Sequence, residues 1–121
     1  MGTYSRIILS GSTDGQGILA AATTPAGGTL LHTAVTGAAD SSDEVWLYAH
    51  CNVTTAATIK IAVGPTTATG SRFSLFVTAG DVQGLLLVTP GLPLRNAKTV
   101  KAWVTTANAF TMFGYVNRFA T

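Results

Sequence analysis

The stretch Val45-Trp46-Leu47-Tyr48-Ala49-His50-Cys51-Asn52-Val53 decides the fold. Val45, Leu47, Ala49, Cys51 and Val53 are apolar and occupy every second position; Trp46, Tyr48, His50 and Asn52 fill the alternate ones. Side chains on a strand alternate between faces, so this run reads as a strand with an aliphatic face toward a core and an aromatic-polar face away from it. The same period recurs downstream. Ile59, Ile61 and Val63 alternate with Thr58, Lys60 and Ala62. Val100, Ala102 and Val104 alternate with Lys101, Trp103 and Thr105. Phe110, Met112, Gly114 and Val116 alternate with Thr111, Phe113, Tyr115 and Asn117. One buried face and one open face is the pattern of antiparallel sheets.

Further strands are expected over residues 4–9, 17–22, 29–35, 72–77 and 84–88. Asp14-Gly15 predicts a hairpin turn, and Pro25-Ala26-Gly27-Gly28, Gly64-Pro65, Gly80-Asp81 and Pro90-Gly91 punctuate the rest. Residues 20–24 are too short, and too close to Pro25, for a helix. The reading is an all-β chain with one domain over residues 1–121. Its expected architecture is an antiparallel β-sandwich, jelly-roll-like, with about eight to nine short strands.

Composition narrows the function. Charged residues make up 10% of the 121, against a usual ~25%, and hydrophobic residues reach 47%. Such a chain has too much to bury to be disordered. The net charge of +2 comes from scattered basic residues, so no nucleic-acid partner is expected. No apolar run approaches ~18 residues, so no membrane partner is expected either. Residues 1–10 lack the charged start and apolar run of a leader, and Arg6 stands where a myristoylation signal needs Ser or Thr. Without a leader, the sequon Asn52-Val53-Thr54 reads as coincidence. Cys51 is the single cysteine and has no partner for an intrachain disulfide.

The titratable inventory is thin: two His, one Cys and five acids. His50 and Cys51 are neighbours on one strand and point to opposite faces, so they cannot share a metal. Asp40, Asp43 and Glu44 read as a solvated turn in the polar loop 36–43 and its exit, three acids being too few for a calcium shell. Gly11-Ser12-Thr13-Asp14-Gly15-Gln16-Gly17 lacks the Lys and helix of a phosphate loop. The expectation is no enzyme, with no catalytic residue, cofactor or metal.

If the aliphatic face is core, Trp46, Tyr48, Trp103, Phe113 and Tyr115 point outward together. Three readings stay open for them: a protein contact, a glycan platform, or a second core layer. Twenty Thr hydrate a surface without charge, which suits a subunit packed among neighbours. Low charge also leaves edge strands poorly protected against further pairing, which points to assembly covering them.

Several segments, in this order, carry a resemblance. They are residues 4–15 (Tyr-Ser-Arg-Ile-Ile-Leu-Ser-Gly-Ser-Thr-Asp-Gly), 31–34 (Leu-His-Thr-Ala), 43–49 (Asp-Glu-Val-Trp-Leu-Tyr-Ala), 85–94 (Leu-Leu-Leu-Val-Thr-Pro-Gly-Leu-Pro-Leu) and 113–118 (Phe-Gly-Tyr-Val-Asn-Arg). Together they resemble small virion-associated structural proteins of tailed bacteriophages, across nearly the whole chain. After Gly64-Pro65-Thr66-Thr67, where relatives carry an acidic loop, this chain reads Ala68-Thr69-Gly70-Ser71-Arg72, so no acidic contact is expected there. The resemblance implies a capsid decoration (cement) protein on the virion surface, made in the host cytoplasm. Its expected partners are the major capsid protein and itself, as a homodimer or homotrimer. Trp46, Tyr48, Trp103, Phe113 and Tyr115 would form the protein interface, with Arg6 and Arg118 meeting acidic capsid residues. The alternatives are a tail, neck or fibre subunit, or a carbohydrate-binding adhesion module.

Overall fold

A computed structural model describes residues 2–37, 40–64, 69–77 and 85–121, with only the backbone of residues 69, 76 and 77. Pro65, Ala68, the expected Gly80-Asp81 turn and Gly84 lie outside the described residues. Nine strands lie among those described: β1 (Thr3–Ile8), β2 (Ile18–Leu19), β3 (Thr29–Thr33), β4 (Ser42–Cys51), β5 (Ala57–Val63), β6 (Arg72–Val77), β7 (Leu86–Leu94), β8 (Thr99–Val104) and β9 (Phe110–Ala120).

They form two antiparallel sheets. One has the order β1-β9-β4-β7, with β2 also paired to β9; the other has the order β3-β8-β5-β6. Setting aside the two-residue β2, the first sheet holds the first, eighth, third and sixth strands, and the second holds the second, seventh, fourth and fifth. That is the winding of an eight-stranded jelly roll.

The alternation places the core where the sequence predicts it. Val45, Leu47 and Ala49 of β4 are fully buried, as are Ile59 and Ile61 of β5, Val100 and Ala102 of β8, and Phe110, Met112 and Val116 of β9. They form one cluster between the sheets. Each large aliphatic or aromatic side chain removed from water here is worth about 1.5–3 kcal/mol.

Three local expectations are corrected. Asp14 and Gly15 both have positive φ, 54° and 82°, and Gln16 N–H donates to Thr13 O at 2.9 Å, so the turn is present. It makes no hairpin, because β1 and β2 both pair with β9 rather than with each other. Pro90-Gly91 is not a turn but lies inside β7, which runs on to Leu94. An edge strand tolerates proline because one side of its ladder is open. The pairing with β4 slips on both sides of Leu47. There the buried Thr89 hydroxyl accepts from Leu47 N–H at 3.1 Å and donates to Val45 O at 3.0 Å. Lastly, β4 begins at Ser42, so Asp43 and Glu44 are strand residues rather than the end of a solvated loop.

The turn from β7 to β8 carries Asn96 and Ala97 at φ 59° and 57°, closed by Lys98 N–H to Arg95 O at 3.2 Å. A left-handed Ala costs about 1–2 kcal/mol, whereas Gly pays only added unfolded-state freedom. Ala97→Gly is therefore expected to stabilise the protein by about 0.5–1 kcal/mol. A thermal melt of the variant should shift upward by a few degrees.

Candidate functional site

The outer face of the β1-β9-β4-β7 sheet is built from rows of side chains that cross the strands. Cross-strand register puts Trp46 opposite Tyr115, and Tyr48 opposite Phe113. The Trp46 and Tyr115 rings stack with centroids 6.0 Å apart and planes 8° apart. From the other side of β9, the Arg6 guanidinium lies 4.9 Å from the Tyr115 centroid. Gly91 closes the row, since a Cβ there would sit 3.2 Å from the Trp46 ring. One row thus reads Arg6, Tyr115, Trp46, Gly91 across four strands. In the next, Gly17 packs against Phe113, Phe113 faces Tyr48, and Tyr48 faces Leu87. A third row packs Tyr4 against Phe119 at 4.7 Å.

A chain of hydrogen bonds runs beside the stack. Arg6 Nε donates to Asn117 Oδ1 at 3.4 Å, and Asn117 Nδ2 donates to Glu44 Oε1 at 3.2 Å. Trp46 Nε1 donates to the same Glu44 oxygen at 2.7 Å. The indole and amide donors hold the Glu44 carboxyl below its usual pKa. An open groove of ≈ 520 Å³, lined by Tyr4, Ser5, Arg6, Glu44 and Asn117, adjoins this network.

Trp46, Tyr48, Phe113, Tyr115 and Arg6 are therefore brought onto one face. Sequence reasoning missed Tyr4, Ile8 and Leu87, exposed at 80%, 47% and 50%, which widen the apolar panel. Extending the alternation from Arg6 to Tyr4 and Ile8 finds two of them. Leu87 needs the β4–β7 register, which is non-local.

Trp103 is corrected. It lies on β8, in the other sheet, and is only 5% exposed, with the Arg72 guanidinium 5.4 Å from its ring centroid. It belongs neither to the aromatic panel nor to the core between the sheets.

Arg118 is also corrected. It points inward and grips Asp43 with two bonds, Nε to Oδ1 at 2.8 Å and Nη2 to Oδ2 at 2.9 Å. Asp43 is fully buried and also accepts from His32 Nε2 at 2.7 Å and Val35 N–H at 3.1 Å. His32 is itself fully buried, and its Nδ1 accepts from Ser10 N–H at 3.0 Å, so the ring proton stands on Nε2. Burial alone would raise the Asp43 pKa. The hydrogen bonds from Arg118 and His32, with the Arg118 charge, outweigh burial and hold it below the usual value. Asp43 in turn raises the pKa of Arg118. With its acceptor positions filled and no side chain in the group left unpaired, the cluster is a structural clamp joining β3, β4 and β9.

The acids do not converge, since Asp43 faces in and Glu44 faces out. No group of His, Cys, Asp and Glu among the described residues could hold a metal ion. His50 and Cys51 point apart, with Cys51 buried. No helix among the described residues is long and apolar enough to cross a membrane. No protein-family model, curated protein or solved structure matches this chain.

Proposed function

We propose that this chain is a bacteriophage virion structural protein, a capsid decoration subunit that docks between major capsid subunits through the outer face of the β1-β9-β4-β7 sheet. The observation that carries the reading is the aromatic panel. Trp46 and Tyr115 at its centre are already stacked on each other, so they have little side-chain entropy left to lose on contact. The charged groups beside the panel, Arg6 and Glu44, each keep hydrogen bonds within the sheet, which limits what contact strips from them. The sequence resemblance points the same way. Jelly rolls serve as viral coat domains and also as lectins, so the winding alone decides nothing between them.

The panel favours a protein partner over a sugar. A sugar stacks on an open ring face, whereas the Tyr115 ring has Trp46 stacked against it and the Arg6 guanidinium over it, and Trp46 has Tyr115 along one face. A tail, neck or fibre position would use the same surface and is distinguished by copy number, tens per particle rather than hundreds.

Co-sedimentation with expanded, undecorated capsids tests the proposal. The protein should pellet with shells at near-stoichiometric ratio. Trp46→Ala combined with Tyr48→Ala should weaken binding at least 10-fold while the melting profile shows a folded protein. Failure of the unaltered protein to bind shells overturns the reading. Binding that survives the double substitution overturns the surface assignment.

A further inference from the structure

We propose that a second copy of this chain pairs with β1, antiparallel about a two-fold axis through Ser5, so that two β1-β9-β4-β7 sheets become one continuous sheet. Three sheet edges have described surroundings, and two are protected. The open side of β3 is covered by the preceding loop: Gly11 N–H donates to Leu31 O at 3.0 Å, Ser10 N–H to His32 Nδ1 at 3.0 Å, and Thr33 N–H to Ser10 Oγ at 2.7 Å. Along β7, Pro90 and Pro93 remove donors and the pairing with β4 is bulged. Both are recognised ways of blunting an edge.

β1 has neither protection. Among the described residues it pairs with β9 alone, in unbroken register from Thr3 to Ile8. It holds no Pro, Gly or Lys. Five of its six residues are exposed, including Tyr4 at 80% and Ile8 at 47%. A regular, solvent-exposed edge of this kind, with Arg6 its single charge, is a template for another strand.

Self-pairing also selects its own register. A two-fold normal to the sheet keeps both outer faces on one side, so residues facing each other must share parity. Centring on Arg6 sets two guanidinium groups against each other. Centring on Tyr4 or Ile7 leaves much of the strand unpaired. Centring on Ser5 places Tyr4 opposite Arg6 of the second copy, twice, and Ile8 opposite Gly2. Each Arg6 already has Tyr115 on one face of its guanidinium. Tyr4 of the other copy takes the second face, a cation–π contact. The stacked row then continues from one subunit into the next.

Cysteine cross-linking reads this register, because the native Cys51 is buried. Facing residues of an antiparallel pair have Cα atoms about 4.5–5.5 Å apart, within disulfide range. Ser5→Cys, oxidised with copper phenanthroline, should give a disulfide-linked species of twice the 12.4 kDa chain mass. Thr3→Cys should not, because the two copies of residue 3 stand four positions apart, about 14 Å. Light scattering should show a dimer for the unaltered protein. Tyr4→Lys, which sets like charges together, should give a monomer, and Tyr4→Glu, facing Arg6, should keep the dimer. A monomeric unaltered protein, an unreactive Ser5→Cys, or equal cross-linking through Thr3→Cys each overturns the proposal. It stands on the edge of β1 alone, so its failure leaves the capsid assay untouched, and failure of that assay leaves this one untouched.

Discussion

Asp43→Ala is expected to lower stability by about 3–5 kcal/mol, the usual result of removing one partner from a buried ion pair. The substitution strands the Arg118 guanidinium, the His32 Nε2–H and the Val35 N–H, all of which donate to Asp43. For a domain of this size the melting temperature should fall by about 10–20 °C. Asp43→Ala combined with Arg118→Met should cost less than the sum of the two single changes, because the second removes the charge the first leaves unpaired. Chemical denaturation of the four proteins measures the coupling. The clamp also sets an acid limit. The folded-state pKa of Asp43 lies below the unfolded value of 3.8, so its stabilisation is complete above that pH. It is lost as pH falls through the folded value. A melt series from pH 7 to pH 2 should drop steeply below about pH 4, and that part of the drop should be absent in Asp43→Asn.

Gly114→Ala should cost about 3 kcal/mol, the upper end for forcing volume into a packed site. Gly114 lies opposite Leu47 in the central β9–β4 pair. A Cβ there would run into the Trp46 carbonyl oxygen and lie 3.3 Å from Leu47 Cα, both of them backbone. Relief requires the two strands to part, and Trp46 and Tyr115 are stacked across that seam. The loss of stability should therefore come with a change in near-ultraviolet circular dichroism from the Trp46–Tyr115 pair. A variant that melts like the unaltered protein with an unchanged aromatic spectrum contradicts the account.

Local periodicity made the strands and their faces legible. The sides of Val45–Cys51 and of Phe110–Val116 follow from alternation alone, and the structure places them so. What alternation cannot carry is which sheet a strand joins. Trp103 has the same local pattern as Trp46, yet β8 lies in the opposite sheet, and its ring is buried beside Arg72. Asp43 and Glu44 are adjacent acids of ordinary appearance. One residue of register sends the first into a clamp with Arg118, 75 positions away, and the second into the hydrogen-bond chain beside the panel. Pro90-Gly91 carries a strong turn signal, which an edge position overrides. Of the panel, Trp46, Tyr48, Phe113 and Tyr115 were readable from sequence and Tyr4 was not; the stacking of Trp46 on Tyr115 depends on β9 and β4 lying side by side.

The strand order also has a kinetic consequence. β9 is the shared partner of β1, β2 and β4, and it is synthesised after all of them. Until residues 110–120 have left the ribosome, β1 and β2 have no partner in that sheet, and β1 waits as an unpaired template. Non-local strand pairing of this kind slows folding, to milliseconds or seconds in comparable all-β domains. The nascent chain is then most exposed to association with its neighbours in the interval before β9 arrives.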